Sequence, residues 1–468
     1  MGGIFGVARK EDCVTDLFYG TDYLSHLGTK RGGMAVSGPS GFTCRVHYLE
    51  SNYFRTKLEP DLKSLSGNMG IGAISDTDSQ PLAFSSHLGH FSLVTVGKIT
   101  NQDELIREAR KSRYTFNESS TGKVRPTEVI AMLLSMEDSF EDGIRSVYEK
   151  VKGSCTFILM TKHGLYGCRD ALGRTPLILG KKDGAFALSS ETSAFHNVGY
   201  EPLRDLGPGE AVFVTPEGWK TCIPARDQMQ ICSFLWVYYG YPSSTYEGIN
   251  VEAFRYRCGA LLGEEDSIDV DLVGGIPDSG IGHAVGYANQ RKLSYERPVV
   301  KYTPTWPRSF MPQNQEVRNL VAKMKLIPNR ALIEGKRMVF LDDSIVRGTQ
   351  LKDNVRVLYS HGAKEVHMRI ACPALIFPCE FLNFSTSRSA QELIGLKAIY
   401  DLEGAKINDI AAYADAETDK NAAMTEWIRE NLGLSSLKFQ KLDNLVKAVG
   451  LPKEKLCTHC WDGSSWGF

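Results

Sequence analysis

The chain has 468 residues, enough for two or three domains, each with a sizeable core. Its 54 basic and 55 acidic residues balance, which argues against a nucleic-acid or membrane-surface footprint. The densest apolar run, around Phe234 to Tyr241, is too short to span a bilayer and contains Tyr and Gly. No basic segment followed by an apolar one stands at the N-terminus, so secretion is not expected. Eleven cysteines without a compact framework, in a chain this long, read as reduced thiols or a metal centre rather than disulfides. A cytoplasmic protein is the expectation.

Up to about residue 230 the chain holds short alternating runs such as Cys155–Met160 and Ala211–Val214, bounded by Gly and Pro turns. That pattern predicts sheets packed with a few helices. Four stretches carry more information: Gly3-Ile4-Phe5-Gly6, Lys30-Arg31-Gly32, Gly67-Asn68-Met69-Gly70-Ile71-Gly72 and Leu206-Gly207-Pro208-Gly209-Glu210. Through them residues 2–220 resemble the N-terminal-nucleophile (Ntn) glutaminase domain of class II amidotransferases. The resemblance implies a Cys after the initiator Met, whose thiol attacks the glutamine amide with its own α-amino group as base. Here that position is Gly2, which has no side chain. Cys13 has no free amine beside it and is no replacement. The family's glutamine-clamping Arg falls on Ser75, its Asn-Gly oxyanion pair on Val96-Gly97, and its amine-reading Asp on Pro126. Arg31 keeps its place, and a structural role is expected for it. Four coordinated losses predict a glutaminase fold that no longer hydrolyses glutamine.

In the second half, Ile249–Val251 and a helical stretch lead into a strand over Asp269–Val273. The loop Gly274-Gly275-Ile276-Pro277-Asp278-Ser279-Gly280 follows, where glycines let backbone amides approach an anion; alone, such a loop is more often just a turn. Lys301 follows a short strand, Pro298–Val300, and the chain to Arg330 is polar and basic, as solvated loops usually are. Then Met338-Val339-Phe340-Leu341 runs into Asp342-Asp343-Ser344-Ile345-Val346-Arg347-Gly348-Thr349-Gln350. The apolar run suits a central parallel strand buried on both faces, whose carboxyl end is where open α/β sheets place ligands. Leu351, Val355 and Leu358 form a helical stripe ending near Gly362. Amides of Ser344 to Thr349 could cradle a phosphate at that helix start, and Asp342 and Asp343, at the strand's solvent-facing end, could each accept sugar hydroxyls. A solvated acidic turn is the plainer reading of such a pair.

The run 338–350 resembles the phosphoribosyl-pyrophosphate (PRPP) signature of type I phosphoribosyltransferases, and within them the glutamine PRPP amidotransferase family. The resemblance implies that Gly275, Asp278, Ser279 and Lys301 meet the pyrophosphate side of PRPP. It implies also that Arg308, Lys323 and Lys325 belong to a mobile loop that closes over it. Asp342, Asp343, Ser344, Val346, Arg347, Gly348 and Thr349 would hold the ribose and its phosphate, with Asp342, Asp343, Lys323 and Lys325 as the catalytic set and Mg²⁺ held through PRPP near the two aspartates. The stretch Tyr302–Pro307 departs from the family, and one family Arg has no counterpart there.

Cys457-Thr-His-Cys460 by itself is ambiguous between redox, zinc and iron–sulfur use. Some members of the family carry a [4Fe–4S] cluster on one Cys at the domain junction, one after the PRPP unit and a terminal Cys-x-x-Cys. Those positions are Cys232, Cys379, Cys457 and Cys460, with Cys372 as the rival ligand.

The expected fold is α/β plus α+β: an Ntn-hydrolase-like αββα domain over 2–230, then a type I phosphoribosyltransferase domain over 231–468 with a parallel sheet flanked by helices. The resemblance implies phosphoribosyl transfer from PRPP to ammonia, giving 5-phosphoribosylamine for purine synthesis, in a cytoplasmic homo-oligomer with no nucleic-acid or membrane partner. A transferase using another amine, or a non-catalytic PRPP-binding regulator of an active paralogue, are the alternatives.

Overall fold

The computed structural model describes residues 2–38, 41–50, 52–116, 122–302, 326–382, 392–404 and 409–464. The short alternating runs of the first half form two antiparallel sheets. One has seven strands, in the order Glu201–Asp205, Ile178–Lys182, Ala185–Ser189, Gly2–Arg9, Met69–Ser75, Arg31–Gly38 and Gly41–Tyr48. The other has six, in the order Gly218–Ile223, Ala211–Thr215, Leu165–Cys168, Gly153–Thr161, Gly89–Ile99 and Leu82–Ser86. Alternation puts one apolar face of each sheet against the other, through Ile4, Ile71 and Leu188 on one side and Val94, Ile158 and Val212 on the other. The outer faces are covered by helices: Val14–Asp22 lies over the first sheet, and Pro126–Ser135 and Phe140–Lys150 over the second. This is the helix–sheet–sheet–helix layering that the sequence predicts.

The second half is built on a four-stranded parallel sheet in the order Leu272–Gly275, Arg337–Asp342, Glu365–Ile370 and Ser436–Phe439. Parallel neighbours need crossovers, which helices Ile281–Arg291, Thr349–Ser360 and Asp419–Leu432 supply. Met338 to Leu341 are all 0 % exposed on an inner strand. Their alternation sends Met338 and Phe340 into one core and Val339 and Leu341 into another, so both faces of the strand are buried. The helical stripe also matches, with Val355 and Leu358 buried and Leu351 packed against them.

Two strands differ from expectation. The one predicted from Asp269 begins at Leu272, because Asp269 and Asp271 instead pair with Arg337 at 2.6 and 2.9 Å. The one predicted at Pro298–Val300 is Val299–Lys301, paired antiparallel with Leu326–Pro328 outside the main sheet. The apolar run 234–241 contains a buried helical turn of the wide π type, Leu235–Tyr239. Among the described residues no helix is long and apolar enough to cross a membrane.

Candidate functional site

The parallel register sets two loops side by side. Gly275 pairs with Leu341, and the Ile276 amide donates to the Leu341 carbonyl at 2.9 Å. The loop 276–280 therefore lies beside Asp342 and Asp343, at the carboxyl ends of adjacent strands. A Cβ on Gly280 would stand 2.2 Å from the Leu341 carbonyl oxygen, so this close approach requires glycine. The Pro277–Asp278 peptide is cis. Ser279 Oγ donates to Asp342 at 3.4 Å, and Lys301 Nζ pairs with the exposed Asp278 carboxylate at 2.5 Å.

Asp342 accepts the Asp343 amide at 2.9 Å, and Asp343 accepts Ser344 Oγ at 2.5 Å. Asp343 is only 5 % exposed, so the pair does not lie wholly at a solvent-facing strand end as the sequence suggested; Asp342 alone is partly accessible. The sheet carries the chain one residue further before the loop turns out. Burial and then the neighbouring Asp343 charge push the Asp342 carboxyl well above the ordinary carboxylate range. Burial also raises Asp343, against hydrogen bonds from Ser279 and Ser344 and the charge of Arg255. Arg255 escaped the sequence reading because it sits among apolar helix positions. It is 4 % exposed and donates to the carbonyls of Trp236, Tyr238 and Gly240 at 3.0–3.1 Å.

The loop from Ser344 ends at Gly348, whose φ of 74° is left-handed, and Thr349 opens the helix. A Cβ on Gly348 would meet Ile394 Cδ1 at 2.5 Å. The Val346 carbonyl accepts the Ile394 amide at 2.8 Å, and exposed Arg347 pairs with Glu392 at 2.5 Å. Of the predicted site residues, Gly275, Asp278, Ser279, Lys301, Asp342 to Ser344 and Val346 to Thr349 thus surround one sheet end. Arg308, Lys323 and Lys325 lie outside the described residues.

In the first half, register lines up two of the altered positions with the retained Arg31: Gly2 faces Ser75, and Ser75 faces Arg31. A Cβ on Gly2 would lie 2.5 Å from the Ile74 carbonyl oxygen, so a side chain there would force the strands apart. Ser75 Oγ accepts the amides of Thr77 and Asp78 at 3.2 and 3.3 Å. Asp78 is buried and accepts Thr127 Oγ1 at 2.7 Å at the start of the helix that Pro126 opens. Arg31 donates to the Thr77 carbonyl at 2.9 Å and lies over the Tyr48 ring. Val96 and Gly97 lie in strand Gly89–Ile99, Gly97 with a φ of 134° and its Cβ direction blocked by the Ser154 carbonyl.

Cysteines far apart in sequence meet at one pocket. Strand Ile231–Cys232 pairs in parallel with Leu456–Cys457, which puts Cys232 opposite Cys457. The amides of Ile376 and Phe377 donate to the Cys460 carbonyl at 3.1 and 3.2 Å, bringing up the Cys379 loop. Cys232, Cys379, Cys457 and Cys460 line the pocket with Phe234, Phe381, Trp461 and Arg174. Cys372 is buried elsewhere, beside Cys258. Burial raises the Cys232 and Cys457 thiols, whereas hydrogen bonding from Cys460 and from the Leu382 and Phe381 amides lowers Cys379 below the ordinary thiol range. Among the described residues no group of three or more His, Cys, Asp or Glu side chains is arranged to hold a metal ion.

Comparison with known proteins accords with this geometry. Residues 68–197 match a family model described as a glutamine amidotransferase domain. The chain is 30 % identical to the amidophosphoribosyltransferase of Methanocaldococcus jannaschii, over 99 % of this chain and 97 % of that one. It is 30 % identical to that of Bacillus subtilis, over 96 % and 89 % of the two chains. A solved structure of the B. subtilis glutamine PRPP amidotransferase, complexed with ADP and GMP, superposes with a TM-score of 0.85. That match has 28 % identity and covers 99 % of this chain and 96 % of that one. On fold, length and sequence alike, the chain belongs to the amidophosphoribosyltransferase family.

Proposed function

We propose that this protein transfers the phosphoribosyl group of PRPP to ammonia, forming 5-phosphoribosylamine for purine synthesis, and does not itself hydrolyse glutamine. The observation that carries the transferase reading is the pairing of the 275–280 loop with Asp342–Thr349 at the ends of adjacent parallel strands. In this reading Asp342 and Asp343 accept the two ribose hydroxyls, and the loop ending at Gly348 and Thr349 takes the 5-phosphate. Lys301 leaves Asp278 for the pyrophosphate, whose departure builds negative charge as C1 of the ribose becomes oxocarbenium-like. Orientation and electrostatics supply most of the rate, because ammonia needs little help beyond loss of its proton on or after attack. The two adjacent carboxylates, one partly accessible, fit an oxygen-rich site for Mg²⁺, which when bound would neutralise part of the pyrophosphate charge. Arg308, Lys323 and Lys325, which lie outside the described residues, complete the proposed PRPP-binding and catalytic set.

The proposed loss of glutaminase activity rests on Gly2, Ser75, Val96 and Pro126 together. The tight packing at Gly2 adds a physical reason why one reversion is not enough. Pyrophosphate release from PRPP is expected with ammonia and not with glutamine, in wild type and in Gly2→Cys alike. Glutamine-dependent release by wild type at a rate comparable to ammonia would refute the proposal.

We read the chain as dividing near residue 230, where strand Ile231–Cys232 joins the C-terminal tail instead of the N-terminal sheets. The four cysteines are proposed to hold a [4Fe–4S] cluster, which binds one thiolate per iron and so spaces its ligands more widely than a single ion would. Four thiols on one largely apolar pocket fit that group. Anaerobically purified protein is expected to be brown with about four irons per chain. Cys457→Ser should lose that colour, and full iron retention in this variant would remove the terminal pair from the ligand set. A cytoplasmic homo-oligomer completes the reading and rests on the family resemblance.

A further inference from the structure

We propose that Arg174, contributed by the N-terminal half, is the built-in counter-charge of the four-cysteine pocket and favours the more negative oxidation state of the cluster held there. This inference rests on the cluster reading above.

Arg174 is 0 % exposed and lines the pocket together with all four cysteines. Residue 174 meets the proposed ligand set through backbone and side chain alike. Its carbonyl accepts the Cys232 amide at 3.1 Å, and its side chain lines the same pocket as Cys457. The remaining contacts hold the guanidinium in one place. It donates to the Gly153 carbonyl at 3.2 Å and to Gln230 Oε1 at 3.1 Å, and lies 3.6 Å from the Phe381 ring centroid. The loop beneath it is itself rigidly tied. Asp170 accepts the amides of Leu172 and Thr175 at 3.2 and 3.0 Å, on either side of Arg174. A second cation points the same way: Lys98 Nζ, one residue past Gly97, donates to the Cys379 carbonyl at 3.0 Å.

A charge placed in a buried, largely apolar cavity is costly unless an opposite charge faces it. Four thiolates around a cluster core of smaller positive charge leave an anionic group, and a fixed guanidinium in the wall of the same pocket compensates it. Net charge and hydrogen bonds to the sulfurs are among the factors that set the reduction potential of such clusters. On reduction one electron enters from an external one-electron donor, which is oxidised, and no bond is made or broken. The added negative charge is the one that Arg174 stabilises. The inference also gives the N-terminal half a task that does not depend on glutamine hydrolysis, since both cations belong to it.

The test uses the full chain, loaded with ferrous iron and sulfide under anaerobic conditions and titrated with dithionite in the presence of redox mediators. Arg174→Gln with wild-type iron content is expected to make reduction about tenfold less favourable, a midpoint about 59 mV lower for one electron. Arg174→Lys, which keeps the charge, is expected to stay within about threefold of wild type. An unchanged midpoint in iron-loaded Arg174→Gln overturns the role of Arg174 and leaves the cluster reading standing. Wild type that takes up no cluster overturns both. If Arg174→Gln holds no iron, Arg174→Lys decides: iron retained by Lys supports the counter-charge, and iron lost from both variants overturns it in favour of a purely steric role.

Discussion

Replacing Asp342 by Ala is expected to weaken PRPP binding roughly tenfold to hundredfold in the presence of Mg²⁺. In the proposed reading the carboxylate accepts a ribose hydroxyl, and charge-assisted hydrogen bonds contribute roughly 1.5–3 kcal/mol each. Truncation also removes the Asp342 hydrogen bond that favours ionisation of Asp343, so nothing at the neighbouring carboxyl offsets the loss. Asp342 is the better site for truncation, since it is partly accessible whereas Asp343 is buried within reach of the Arg255 charge. At Asp343 the near-isosteric Asn tests the same idea without leaving a hole. Calorimetric titration of PRPP into wild type and Asp342→Ala, at matched thermal stability, checks the prediction. Equal affinity would mean that the acidic pair is only a turn.

Arg369→Met should lower folding stability by about 3–5 kcal/mol, the range for breaking one side of a buried ion pair. Arg369 and Asp266 both have fully buried side chains and share two hydrogen bonds, Nε to Oδ2 and Nη2 to Oδ1. Tyr287 donates to the same carboxylate at 2.7 Å, and Lys438 approaches it at 3.4 Å. Burial opposes ionisation of Asp266, but the hydrogen bonds and charge of Arg369, with Tyr287 and Lys438, outweigh it and hold the group well below the ordinary carboxylate range. A carboxylate with a depressed folded pKa stabilises fully above its unfolded value of about 3.9, and that stability is lost as pH falls through the folded pKa. The deficit of Arg369→Met against wild type should therefore be largest near neutrality and shrink in acid. Asp266→Asn combined with Arg369→Met should cost less than Arg369→Met alone, because no charge is left unpaired. Chemical denaturation at pH 7 and pH 3 reads both effects. A single-variant loss under about 1 kcal/mol at pH 7 would mean that Tyr287 and Lys438 suffice.

What the sequence determined by itself is whatever depends on neighbours along the chain. The run Met338–Leu341 declared a doubly buried strand, Leu351, Val355 and Leu358 declared the following helix, and glycines marked both loops at the sheet end, because strand and helix periods act over a few residues. The family strings extended that reading to the fold of both halves. Tertiary structure alone decided the rest. It started the edge strand of the parallel sheet at Leu272, since Asp269 and Asp271 found Arg337 some 66 residues away in sequence. It buried Asp343 within reach of the Arg255 charge, and set Arg174 in one pocket with thiols drawn from positions 232, 379, 457 and 460. Charge, burial and close approach depend on which distant segments share a low-dielectric space, and no local pattern carries that information.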